Sequence, residues 1–279
     1  MSNDKKNPFG RALLFVLPGL AGFVAFYVWP FFISLYYSVL DRPVNGSFVG
    51  FGNYAALFAN MPYRLGLRNT LVFMGISLPF NMIVSLAAAL LIKTTGKRKP
   101  LFTLFFLIPL VVPSGSMIFF WRMLFSETGF LRLGFRVMES GYARIAVAVI
   151  FLWKNIGYNV ILFLAGLSAV PKECLEAAKV DGAGAARRFT GVTLAFLAPT
   201  FVLVFMMSFI NSFKVFKEVY LLTGGYPHES VYMLQHFMNN MFASLQYPKL
   251  TAATTTLVAG VALLTQALLG FERRSSVAE

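Results

Sequence analysis

Charged side chains are scarce in this chain, at 13% of its 279 residues, and acidic ones are scarcest: 11 Asp and Glu against 24 Lys and Arg. Soluble domains carry roughly a quarter charged residues, so water did not shape most of this surface. Cysteine occurs once, as Cys174, which excludes an internal disulfide and a thiolate metal cage. That side chain reads as a small buried apolar group. The two histidines, His228 and His236, lie in a polar stretch without an acidic cluster beside them. They fall short of the roughly four ligands of a structural metal site and read as exposed loop residues. A Gly-rich phosphate loop ending in Lys-Ser or Lys-Thr is also missing, which excludes nucleotide hydrolysis of that kind by this chain.

What is abundant is apolar. Hydrophobic residues make up 58% of the chain, aromatics 16%, and the mean hydropathy is +0.70. Six long apolar runs stand out, at 12–40, 70–92, 101–120, 145–167, 192–210 and 252–271. Each is about the ~20 residues that carry a helix across a bilayer. The expected fold class is therefore all-α integral membrane, with six transmembrane helices in one domain over 1–279. A first span at 12–40 precedes a five-span core over 69–271. The basic start at Lys5, Lys6 and Arg11 resembles a signal peptide, but the apolar run is too long and lacks a clear small-residue cleavage site, so an uncleaved anchor is expected.

The net charge of +13 raises nucleic acid as a partner. However, the cations cluster beside apolar runs, which fits a lipid bilayer and argues against nucleic acid. Lys5, Lys6 and Arg11 precede the first span, and Lys93, Lys97, Arg98 and Lys99 fill the turn after the second. Lys172, Lys179, Arg187 and Arg188 follow the fourth, and Arg273 and Arg274 follow the last. With six alternating spans all four groups share one side, expected to be cytoplasmic, with both termini. The opposite loops hold Arg42, Arg64, Arg132, Arg136 and Lys249 at lower density. Pro30, Pro79, Pro109, Pro113 and Pro199 fall in or at the ends of spans, where membrane helices tolerate them. Trp29, Trp121 and Trp153 fit interfacial belts. The spans look nearly free of ionisable residues, which argues against a membrane-embedded enzyme and against proton coupling.

The densest charge between spans lies around Glu173, Glu176 and Asp181. Val170-Pro171 favours an extended residue and then a helix start. Glu173 and Glu176 suit the positive end of that helix, and Asp181-Gly182 stops it. A second helical piece from Ala183 carries Arg187 and Arg188 into the fifth span. Ala177, Ala178 and Ala183 keep the side chains short, so another surface can approach the backbone. A solvated connector is the alternative reading.

The run Glu176-Ala177-Ala178-Lys179-Val180-Asp181-Gly182-Ala183, continuing to Phe189, Leu194 and Pro199, resembles the EAA loop of permease subunits of binding-protein-dependent ABC importers. Gly184 stands where that family has serine or threonine, and Ala195 where it has proline. Phe51-Gly52-Asn53-Tyr54, Asn69-Thr70-Leu71, the run from Trp121 to Phe125, and Val219-Tyr220 before Thr223-Gly224-Gly225 resemble the carbohydrate-importer branch, of the maltose and glycerol-phosphate type. The resemblance implies a type-1 permease fold in which Glu176, Ala177, Ala178, Asp181, Gly182 and Ala183 form a coupling helix, within an EAA loop at 173–199. It implies a second permease subunit (a heterodimer), a cytoplasmic ATPase dimer that holds ATP and Mg, and an extracytoplasmic solute-binding protein. It places the chain in a bacterial or archaeal inner membrane. No cofactor is expected on this chain, and no enzymatic activity. A sugar or related polyol is the implied solute; phosphate, amino acids and peptides remain alternatives, since the EAA loop is common to their importers. For a hydroxyl-rich solute, Tyr158, Asn159, Asn211 and Phe213 are the candidate path-lining residues, although asparagine in a span also serves plain helix–helix hydrogen bonding.

Overall fold

The computed structural model describes residues 8–131 and 134–276; Lys5, Lys6 and Arg132 lie outside the described residues. Helix α1 (Pro8–Phe23) passes through a π-helical segment, Val24–Val28, into α2 (Trp29–Tyr37). Then come α3 (Gly52–Ala59), α4 (Met61–Thr94), α5 (Lys99–Val111), α6 (Ser114–Phe125) and α7 (Ala143–Ala169). The short helices α8 (Lys172–Val180) and α9 (Ala185–Arg188) lead through a π segment, Phe189–Thr193, into α10 (Leu194–Thr223). Helices α11 (Leu234–Ala243) and α12 (Tyr247–Ser276) complete the chain. Five stretches are long and apolar enough to cross a membrane, and the α5–α6 pair makes a sixth if taken as one broken span.

The described residues divide into two compact units, one running up to Asn60 together with Asn240–Ala262, the other Met61–Asn239 with the chain from Leu263 onward. In the first unit the π segment sits just before Pro30. A proline lacks the N–H of the helical ladder and crowds the carbonyl four residues back, here Phe26, and the wider π register absorbs both faults. The span then ends in a clamp. Asn53 Nδ2 donates to the carbonyls of Ser38 at 2.9 Å and Leu40 at 2.7 Å, and the Ser38 and Tyr54 hydroxyls share a 2.7 Å hydrogen bond.

In the second unit α7 is the central helix, packed by α4, α5 and α10. Its apolar residues fall in two layers. Near its start Val147, Ile150 and Phe151 pack with Met74 and Leu78 of α4 and Val215 and Val219 of α10. Near its end Val160, Phe163 and Leu167 pack with Ala89, Ile92, Leu197 and Val204. Helix α5 approaches α7 at Gly157, where a Cβ would overlap the Phe106 carbonyl oxygen. Lys93 Nζ donates to the Leu167 carbonyl at 2.9 Å, placing a cation on the negative end of α7.

Several expectations need correction. The continuous third span at 101–120 is broken: α5 ends at Val111, α6 starts at Ser114, and the two meet at 95°. The cause is Pro113, which pushes Val112 into extended backbone (φ −75°, ψ 123°) and so ends α5. The fifth span does not stop at 210. Lys214, Lys217 and Glu218 interrupt the apolar run, yet α10 continues to Thr223, with Val215 and Val219 packed in the apolar layer and the buried Glu218 paired to Lys154. Trp121 does not face outward as a belt residue would; it is buried against Trp153 and stacked on Phe125. Cys174 is only half-buried, on a helix, α8, none of whose residues is buried.

His236 is also corrected. It is fully buried, whereas His228 is exposed as expected. Its Nδ1 accepts the Met233 N–H at 3.1 Å, and Thr70 Oγ1 accepts the Leu234 N–H at 2.9 Å. Together they satisfy donors at the start of α11 that no helical carbonyl can reach. Burial lowers the His236 pKa from 6.5 to about 4. The folded chain therefore refuses a proton that the unfolded chain accepts, so stability is full above about pH 6.5 and falls between there and about pH 4.

Two measurements follow from this packing. The melting temperature of the purified protein should decline from pH 6.5 to 4, and His236→Gln, whose amide oxygen can cap without titrating, should flatten that decline. Gly157→Ala should cost about 1–3 kcal/mol through overpacking against α5. Gly75→Ala, inside α4 where a Cβ meets nothing within 4 Å, should hold or slightly raise the melting temperature.

Candidate functional site

Between the two apolar layers of α7 lies a polar one. Asn155 and Asn159, one turn apart, are both buried. Asn155 Nδ2 donates back to the Phe151 carbonyl at 2.8 Å, and Asn159 Nδ2 donates to Ser208 Oγ of α10 at 2.9 Å. On α4, Ser85 Oγ donates to Asn81 Oδ1 at 3.3 Å. Asn159 Oδ1 and Asn81 Nδ2 have no partner among the described residues. A buried amide left half-satisfied carries a cost of about 1–3 kcal/mol, and two of them lie in this layer.

The same layer holds charge. Lys154 Nζ donates to Ser114 Oγ at 2.7 Å and forms an ion pair with Glu218 Oε1. Glu218 sits on the α10 extension, and its side chain is only 5% exposed, against 33% for Lys154. Ser114 is the first residue of α6, directly after the Val112–Pro113 break. One ammonium thus ties together α6, α7 and α10. The expectation of spans almost free of ionisable groups is corrected here. Lys154 was hidden as a single cation in an apolar run, and Glu218 lay beyond the expected end of the fifth span.

A cavity of about 40 Å³ between α7 and α10 is lined by Lys154, Asn155, Asn211, Lys214 and Glu218, with apolar neighbours. That is room for about one water. Of the four candidate path residues, only Asn211 lines it, with its Oδ1 accepting from Lys214 Nζ at 3.0 Å. Asn159 faces Ser208, one turn further along α7. Tyr158 is half-buried and outside the lining. Phe213 meets Phe209 edge-on at 5.2 Å and packs on the apolar layer. Lys154, Asn155, Lys214 and Glu218 were not anticipated. The available signal was their spacing: 154 and 155 fall at the centre of the fourth run, and 211, 214 and 218 share one helical face.

At the far end of α7, Pro171 caps α8 in extended backbone, with Glu173 in its first turn and Lys179 in its last. Gly182 takes φ 77°, the left-handed conformation that ends a helix. Its N–H bonds the Lys179 carbonyl at 3.1 Å, and the Ala183 N–H bonds the Ala178 carbonyl at 2.9 Å. Arg188 Nη1 donates to the Ala183 carbonyl at 3.0 Å and fixes the exit. A Cβ on Gly182 would meet nothing within 4 Å, so its constraint is the dihedral and not space. Glu176, Ala177, Asp181 and Gly182 are exposed, Ala178 and Ala183 half-buried, and Val180 is 87% exposed.

The ion pair makes a quantitative prediction. Lys154→Met strands a buried carboxylate and should destabilise by about 3–5 kcal/mol, toward the lower end because Lys154 is partly solvated. Glu218→Leu should cost less, since the freed ammonium can turn to solvent. The double variant should melt closer to wild type than Lys154→Met alone, a non-additivity that a thermal double-mutant cycle reads directly.

Comparison with known proteins agrees with this architecture. Residues 81–275 match the family described as binding-protein-dependent transport system inner membrane component. The sn-glycerol-3-phosphate transport system permease protein UgpA of Yersinia enterocolitica is 30% identical over 275 residues, covering 94% of this chain and 93% of that protein. Its counterpart in Rhizobium meliloti is 30% identical, covering 90% and 91%. A chain of a bacterial alginate ABC transporter, solved with an alginate-bound periplasmic protein, superposes with a TM-score of 0.81 at 19% identity, covering 98% of this chain and 96% of that one. A chain of an amino acid ABC transporter gives a TM-score of 0.56 at 15% identity, covering 79% and 97%. This chain belongs to the binding-protein-dependent inner membrane components: it is a permease subunit of an ABC importer, a transport component and not an enzyme.

Proposed function

We propose that this permease moves a sugar or related polyol, received from an extracytoplasmic binding protein, along a path completed by a second and different permease subunit. A cytoplasmic ATPase dimer, with ATP and Mg, drives the step by gripping α8. The observation that carries this reading is α8 itself. It is a short helix closed at both ends, and it presents an acidic residue, a small one and an uncovered Val180 on one surface. A solvated connector needs neither a fixed left-handed glycine nor an exposed valine.

The solute reading rests on the polar layer. Asn155, Asn159 and Asn211 supply amides for hydroxyl groups, and Lys154 and Lys214 supply amines for an acidic substituent. The relatives named for sn-glycerol-3-phosphate and the fold neighbour named for alginate, an acidic polysaccharide, handle solutes of that combined character. Tyr158 and Phe213 lie on the same two helices but outside the cavity lining, and offer aromatic faces only once α7 and α10 separate. The 40 Å³ cavity is the closed form of this path, widened when α7 and α10 separate. The density of cations in the turns on that side supports a cytoplasmic α8 and cytoplasmic termini in a bacterial or archaeal cell.

Gly182→Val puts a β-branched residue at positive φ, a strain of at least about 1–2 kcal/mol that reopens the turn after α8. It should abolish uptake by the reconstituted importer and weaken co-purification of the ATPase, with the permease still in the membrane. Glu176→Ala, which removes one exposed charge, should reduce both less. Wild-type ATPase retention and transport in Gly182→Val would reduce the segment to a connector.

A further inference from the structure

A second cavity, of about 490 Å³, opens along the outside of the bundle between α4 and α7, away from the polar layer. Its walls are apolar: Val72, Ile76 and Phe80 on successive turns of α4 face Ile145, Val149 and Leu152 on α7. Five of these six are exposed to the surrounding medium, and no carboxylate lines the groove. At one end the character changes. Arg144, in the first turn of α7, donates through Nε to the Ser230 carbonyl at 2.9 Å and through Nη2 to Asn69 Oδ1 at 2.8 Å. Its Nη1 has no partner among the described residues, and the side chain is exposed.

We propose that this groove holds one acyl chain of an acidic glycerophospholipid, with Arg144 on its phosphate. Dimensions support the assignment. From Asn69 to Phe80 the groove follows eleven residues of α4, about 16 Å along a helix. That is close to the ~15 Å that one leaflet contributes to a ~30 Å hydrocarbon core. Arg144 lies at the α7 end opposite α8, so the guanidinium stands at headgroup depth in the leaflet away from the coupling segment. Hydrocarbon offers a lipid tail no hydrophobic gain in entering the groove, so retention comes from close packing against its walls and from the charge. The unused Nη1 supplies a charge-assisted donor for a phosphate oxygen while Nε and Nη2 keep the guanidinium fixed. Because Arg144 also holds the 229–234 segment through Asn69 and Ser230, lipid here strengthens the fastening of that segment.

The test uses the assembled importer, stripped of lipid in mild detergent, and does not depend on which solute it carries. Adding phosphatidylglycerol should raise the melting temperature, phosphatidylcholine should not, and high salt should diminish the difference. Native mass spectrometry should find about one acidic phospholipid per copy of this chain. Ala148→Phe, which fills the groove and leaves Arg144 in place, should lower that occupancy several-fold. Ile76→Trp provides a second groove-filling variant should the first fail to fold. Equal response to both lipids, or undiminished phosphatidylglycerol retention in a folded groove-filled variant, overturns the proposal. So does a cysteine at Ile76 that crosslinks in native membranes to another permease subunit, which would make the groove a protein interface.

Discussion

The constraint behind this structure is the absence of water from the hydrocarbon around it. Each N–H and C=O in a span must find its partner inside the protein, and the departures from regular helix at Pro30 and Pro113 are each matched by something specific. The π segment before Pro30 is one such match. The break at Val112–Pro113 is another: it puts Ser114 at the start of α6, within reach of Lys154. A charge pair at this depth is expensive unless its remaining donors and acceptors are met. Lys154 meets that condition by bonding a hydroxyl as well as a carboxylate. Buried charge and broken helix are thus parts of one arrangement, since the break creates the hydroxyl that the ammonium uses.

The same accounting explains short motifs that carried family resemblance without a stated reason. Asn53 and Tyr54 seize the chain as it leaves the first span, at Ser38 and Leu40. Asn69 Nδ2 donates to the Glu229 and Tyr232 carbonyls, at 2.6 and 2.9 Å, and Thr70 accepts from Leu234. Each pair fastens a non-helical segment whose backbone groups have no ladder to join. Amides suit this work because one side chain offers two donors and an acceptor. Asn69 uses both faculties, accepting from Arg144 while it donates to the loop.

How much of this was legible in the sequence depended on range. The membrane class followed from composition, and the α8 turn followed from Pro171 and Asp181-Gly182, because helix start and stop signals are local. The bend at Pro113 was visible in principle, since that proline restricts Val112. Yet hydropathy reads straight through it, and four other span prolines bend nothing so sharply. Glu218 was hidden for the opposite reason: a charge ends an apolar run on paper, whereas in space it is cancelled by a lysine 64 residues earlier. His236 was misread in the same way, its burial set by Phe216 and Tyr232 packing around it. Long-range partners decide such cases, and they leave no trace in a window of neighbouring residues.

The layout of α7 joins the two candidate regions mechanically. Its polar residues at 154–159 and its end at Ala169 are ten to fifteen residues apart, about 15–22 Å of continuous helix. Only Val170 and Pro171, both extended, separate that end from α8. Helix α10 reaches the same layer from the opposite direction, entered through α9 and the π segment. In the proposed cycle, a push on α8 therefore acts on both helices that carry the polar layer, through connections too short to absorb it. The Lys154–Glu218 pair bridges these same two helices. Separating them to admit a solute requires that pair to break or to exchange its partner, and a hydroxyl-rich, acidic solute offers Lys154 a replacement for the carboxylate it gives up. In that proposed cycle a solute without this chemistry leaves the buried Glu218 carboxylate unpaired, so the pair that closes the proposed path would also select what opens it.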